Sequence, residues 1–151
     1  MALQYSICTG AVSATSTIKT GLEIPSSATL PFVIYLMEVT SNAQSAGFVL
    51  VNWYSFVTTG TGTTVTPQKI GTDQSLAAIV GTIKANDSIE PGTLALLSSM
   101  PQYYLPLPGM YSILYPYGRE PYQPVSTSRC LRLTTGSATA VTVCINLYIE
   151  Q

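Results

Sequence analysis

The chain has 151 residues, enough for one domain whose core needs neither metal nor disulfide. Apolar residues make up 46% and charged residues 9%, where the usual charged share is about 25%, so disorder is excluded. Six basic and seven acidic side chains give a net charge of −1 and form no basic stripe, which excludes general phosphate-backbone binding.

The N-terminus opens with a strand at Leu3–Cys8. Ala11–Ala14 mimics a signal-peptide cleavage site, but without a basic segment and a clean apolar segment before it no secretion signal is expected. Pro25-Ser26-Ser27 breaks the chain ahead of the two strongest strand candidates, Pro31–Val39 and Gly47–Val57. In the first, Phe32, Ile34 and Leu36 alternate with Val33, Tyr35, Met37 and Val39, so both faces are apolar and a second covering layer is implied. The longest apolar runs, Phe32–Met37 and Gly47–Val51, are strand-sized and far short of the roughly 18 residues of a spanning helix, so no membrane is expected. With a mean hydropathy of +0.32, apolar surface is expected to be covered by neighbouring subunits instead.

Thr58–Gly62 reads as a turn and Thr63–Ile70 as a strand, while the Ile, Val and Thr content of Leu76–Ala85 favours strand over helix. Pro91-Gly92 turns the chain into a short strand at Thr93–Ser98. Residues 98–124 then hold six of the ten Pro and six of the ten Tyr, with Met110–Tyr115 as the one clear strand. Proline removes ladder donors, so this stretch is expected to be loop, extended arm or sheet edge. At the C-terminus, Val141, Val143, Ile145, Leu147 and Ile149 alternate with polar residues, and Arg129–Thr134 alternates likewise ahead of Gly136-Ser137. That pattern reads as a β-hairpin with one core face. The 20 Thr and 16 Ser suit strands and turns. About eight strands over residues 1–151 predict one all-β domain, an antiparallel β-sandwich of jelly-roll type.

Histidine is absent, which removes Ser-His-Asp and Cys-His triads and the usual zinc sites. The carboxylates Glu23, Glu38, Asp73, Asp87, Glu90, Glu120 and Glu150 form no pair with recognisable local context, and Gly60 and Gly62 precede no helix. No enzyme activity, cofactor or metal is expected. Trp53 lies in a buried-type strand and reads as core. A three-residue loop at Gly136-Ser137-Ala138 would set Cys130 opposite Cys144 across the hairpin, within reach of a disulfide. In a reducing cytoplasm these two and Cys8 are expected as free thiols. The aromatic stretch Tyr103, Tyr104, Tyr111, Tyr115, Tyr117 and Tyr122 admits three readings: a protein–protein interface, a sugar-stacking surface, or cover for one end of the sandwich.

The segment Tyr115-Pro116-Tyr117-Gly118-Arg119-Glu120-Pro121, followed by Arg129-x-Leu131-Arg132-Leu133-Thr134-Thr135 and a final alternating strand, resembles small β-sandwich virion proteins of tailed bacteriophages. The matching order runs roughly from Leu30 to Gln151 and includes the strand with Glu38, the Phe48–Val57 strand and Thr66-Pro67. The resemblance implies a jelly-roll subunit that decorates or cements a capsid, often as a trimer on a shell of the major capsid protein, made in the host cytoplasm. Arg119 and Glu120 read either as anchors of a tight bend between Gly118 and Pro121 or as an exposed charged turn. The alternatives are a tail or fibre module that binds host-surface glycans, and a non-viral lectin-like or secreted adhesin domain.

Overall fold

The computed structural model describes residues 4–26, 31–42, 47–70, 82–136 and 139–150. They form fourteen strands: β1 (Gln4–Cys8), β2 (Val12–Ala14), β3 (Lys19–Ile24), β4 (Phe32–Ser41), β5 (Gly47–Phe56), β6 (Thr61–Val65), β7 (Gln68–Ile70), β8 (Ile83–Ile89), β9 (Ala95–Leu96), β10 (Tyr103–Leu107), β11 (Gly109–Leu114), β12 (Tyr122–Gln123), β13 (Ser128–Thr135) and β14 (Val141–Glu150). No helix among the described residues is long and apolar enough to cross a membrane. Leu3, residues 76–81 of the expected Leu76–Ala85 strand, Asp73 and the loop residues Ser137 and Ala138 lie outside the described residues.

All pairings are antiparallel and sort into two sheets, giving an all-β sandwich. Sheet A runs β11-β4-β14-β1-β7, with β12 extending the β11 edge and β2 beside β14. Sheet B runs β10-β5-β13-β3-β8-β6, with β9 on β5. Their inner faces share one core, in which Val143, Ile145, Leu147 and Ile149 from β14 meet Leu131 and Leu133 from β13, with Val49, Val51, Trp53, Ile34 and Met37 around them. Trp53 is buried, as expected of a core residue.

Four expectations are corrected. The closing hairpin does not form, because β13 pairs with β3 and β5 whereas β14 pairs with β1, β2 and β4. Each strand has its core face turned toward the other sheet, and the chain crosses the sandwich between them. Alternation defines a strand's inner face but does not name its lateral partner. With the hairpin goes the pairing of Cys130 with Cys144: Cys130 lies opposite Tyr54 and Glu23 in sheet B.

In β4, the register slips where Tyr148 pairs with Leu36 and Ile149 with Ile34. This bulge places Met37 and Val39, rather than Leu36, inward beside Phe32 and Ile34. The expected Thr63–Ile70 strand is split at Thr66-Pro67, and its halves join opposite sheets as β6 and β7. Proline ends the ladder there because it donates no backbone hydrogen bond.

Strands β2 and β3 carry no strong alternation and lie where the sequence pattern predicts no strand. The second is internal to sheet B although it contains Gly21 and Glu23. A Cβ on Gly21 would come within 2.8 Å of the Leu133 side chain, so the glycine permits close packing at the point where the β3–β13 register shifts.

Val143 is fully buried on the inner face of β14. Val143→Asp should destabilise the fold by about 3–5 kcal/mol, the cost of an unpaired buried charge. Thermal melting followed by circular dichroism measures this, and an unchanged melting temperature would remove Val143 from the core.

Candidate functional site

The tyrosine- and proline-rich stretch forms the edges of both sheets on one side of the sandwich. β10 closes sheet B beside β5, and β11 closes sheet A beside β4. Pro106 sits within β10, an edge strand, where a missing donor is tolerated. A cis Leu107-Pro108 bond joins the two strands.

The candidate tyrosines divide by direction. Tyr103, Tyr111 and Tyr115 turn inward and tie the two edges together. The Tyr103 hydroxyl donates to that of Tyr115 at 2.7 Å, and the Tyr111 hydroxyl donates to the Pro106 carbonyl at 2.6 Å. Burial raises the pKa of both Tyr103 and Tyr115, so both stay protonated. These three cover the sandwich end.

Tyr104, Tyr117 and Tyr122 point outward. Tyr104 packs against the partly exposed Phe48, with ring centroids 5.9 Å apart. Tyr117 is fully exposed at the tip of a turn in which Arg119 N donates to the Pro116 carbonyl at 2.9 Å. Gly118, at φ +80, occupies the position of that turn that demands a left-handed residue, as in a type II turn. The Arg119 side chain is exposed with no partner among the described residues, so the segment is an exposed charged turn rather than an anchored bend.

Sequence reasoning missed Met110 and Leu114, which alternate with Tyr111 and Ile113 along β11 and stand outward at 73% and 71% exposure. The signal was present in the strand's two apolar faces. Together with Tyr122, Tyr104 and Phe48 they give this flank an apolar outer surface on both sheets. Below it, Tyr35, Val33, Gln4, Glu150, Glu120, Gly118 and Tyr117 line an open groove of about 500 Å³.

A charged cluster that the sequence did not reveal lies on the outer side of sheet B. Glu23 on β3 is fully buried and accepts from Gly60 N at 2.8 Å, and Lys84 lies 4.0 Å from its other oxygen. Asp87 is also buried, and neither of its oxygens has a donor among the described residues. It faces Glu23, and a Cβ on Gly60 or Gly62 would collide with its carboxyl. Burial first, and then the Glu23 carboxylate, push Asp87 up to about 7. Glu90 accepts from Thr20 Oγ1 at 2.6 Å and from Arg132 at 3.1 Å, and Arg132 in turn lies over the Tyr54 ring.

Among the described residues no three His, Cys, Asp or Glu side chains are grouped to hold a metal ion. The cluster instead fastens β6 and β8 to β3 and β13. Compared with known protein families and with curated proteins, the chain matches none.

The Asp87 proton has a consequence for stability. Its folded pKa lies above the unfolded value of 3.8, so the native state holds more protons between about pH 4 and 7. The contribution of this group is therefore complete below pH 4 and is lost as pH rises through 7. Asp87→Asn keeps a donor toward Glu23 at every pH. Its melting temperature should exceed the parent's at pH 8, with the gap narrowing toward pH 4, and a constant gap would place the proton elsewhere.

Proposed function

We propose that this chain is a structural subunit of a bacteriophage virion, a jelly-roll protein that decorates or cements the capsid through protein–protein contacts. The observation that carries the reading is the exposed apolar side chains of the β10–β11 flank, Met110, Leu114 and Tyr122 on sheet A and Tyr104 and Phe48 on sheet B, beside edge strands that have no further partner among the described residues. Exposed apolar side chains at an edge strand are a liability in a free monomer and fit a surface that a neighbour covers. Tyr and Met are also residue types enriched in such contacts.

The strand order supports the jelly-roll part. β1-β14-β4-β11 in one sheet faces β3-β13-β5-β10 in the other, and along the chain each step among these eight changes sheet except that from β5 to β10, which are neighbours in one sheet with β6 to β9 inserted between them. A double Greek key gives this interleaving, and viral capsid and lectin domains share it. The likeness of the Gly118-Arg119-Glu120-Pro121 segment to phage virion proteins supports the assignment to a capsid. The partners in this reading are further copies of the chain, as a homotrimer, and the major capsid protein, with no catalytic role.

The groove favours a second reading, a tail or fibre module that binds host-surface glycans. Tyr35 and Tyr117 offer ring faces, and Glu120 and Glu150 offer acceptors for sugar hydroxyls. A glycan array separates the two.

Light scattering at micromolar concentration should find a trimer, and the protein should bind capsids emptied of their genome. Met110→Asp combined with Leu114→Asp should abolish both properties with little change in melting temperature, since both side chains are exposed. A compact monomer that also fails to bind emptied capsids would overturn the decoration reading.

A further inference from the structure

The three cysteines occupy two different environments. Cys130 is fully buried, and burial pushes its thiol up to about 12, which leaves it inert. Cys8 and Cys144 lie together on the solvent-facing side of sheet A, with their sulfurs 3.9 Å apart. Cys8 ends β1 opposite Asn146, so Cys144 is its diagonal neighbour on β14. Beyond Cys8 the ladder changes character. Thr9 N donates to the Ile145 carbonyl at 3.0 Å, while Ile145 N is satisfied by the Thr9 hydroxyl at 3.0 Å rather than by a backbone carbonyl. Gly10 then turns the chain away at φ +66. A recess of about 270 Å³ lined by Gly10, Ala11, Thr40, Asn42, Thr142 and Cys144 opens beside the pair.

We propose that Cys8 and Cys144 are a modification site: in the folded protein a small-molecule disulfide such as glutathione disulfide oxidises them to an intramolecular disulfide that ties the first strand to the last. The sulfurs are already in van der Waals contact on adjacent strands, so side-chain rotation, with small backbone adjustment, brings them to bonding distance. Cys8, the exposed partner, reacts first. Its thiolate attacks one sulfur of glutathione disulfide and expels a glutathione thiolate, which takes up a proton from solvent. Burial and the neighbouring Cys8 raise the Cys144 pKa, so its thiol gives up its proton less readily. Once deprotonated, Cys144 attacks the Cys8 sulfur of the mixed disulfide and expels the second glutathione thiolate. Two cysteine thiols are oxidised, and one glutathione disulfide is reduced to two thiols.

The bond would close a loop between residues 136 apart, and long closed loops restrict the unfolded chain most. It would also hold β1, on which the edge strand β7 depends for its pairing. The inference is independent of the virion reading.

The test incubates reduced, folded protein with glutathione disulfide, alkylates it, and maps peptides without reduction. A linked Cys8–Cys144 peptide is expected, with Cys130 alkylated only after denaturation. The melting temperature should rise by several degrees and return on adding dithiothreitol. Cys8→Ser should match the reduced parent's melting temperature and show no rise on oxidation. A stable glutathione adduct on Cys8 with Cys144 still open to alkylation, a disulfide between two chains, or a linked peptide with no rise in melting temperature would each overturn the proposal.

Discussion

The two strands nearest the C-terminus sit at the centre of opposite sheets, and their inner faces are buried against one another through the shared core. β13 has β3 and β5 on its flanks, and β14 has β1 and β4, so neither has a free ladder edge. Leu131, Leu133, Val143, Ile145, Leu147 and Ile149 are all essentially inaccessible to water. The first five strands find their places as partners of these two. This arrangement rests on non-local contacts throughout, since every central pairing joins distant parts of the chain.

The same constraint decides where edges are left. One flank carries β6 and β7, and the other carries β10 and β11. On the second flank the two edges are laced internally by Tyr103 to Tyr115 and by Tyr111 to Pro106. This lacing ties the two edges together while Met110, Leu114 and Tyr122 stand out from them. In the proposed assembly, edges tied together in this way would lose less conformational freedom on being covered.

The scarcity of charge fits this picture. Of thirteen charged side chains, six basic plus seven acidic, five are gathered at Glu23, Lys84, Asp87, Glu90 and Arg132, where they fasten β6 and β8 to the rest of sheet B. A buried carboxyl pair can persist there because a shared proton replaces one of the two charges. The exposed side chains Met110, Leu114, Tyr122, Tyr104 and Phe48 of the β10–β11 flank are themselves uncharged, with Arg119 and Glu120 in the turn beyond β11.

The sequence by itself determined that the protein is built of strands and which face of the last one looks inward. The alternation of Val141 to Ile149 is a local pattern that maps directly onto the buried residues, whereas the run around Ile34 is apolar on both faces and the bulge opposite Tyr148 and Ile149 decides which residues turn inward. What alternation does not carry is the identity of a lateral partner, and so β13 and β14 look like a hairpin although they belong to different sheets. β3 has no legible strand pattern for a related reason. Its Glu23, buried on the outer side of the sheet, is tolerated because Gly60 N and Lys84, remote in the chain, meet the carboxylate. The tyrosines of 103–122 look equivalent in sequence, yet the tertiary structure turns three inward and three outward, according to which face of its edge strand or turn each one occupies. Cys8 and Cys144 likewise met only through the pairing of the first strand with the last, a contact that no local pattern specifies.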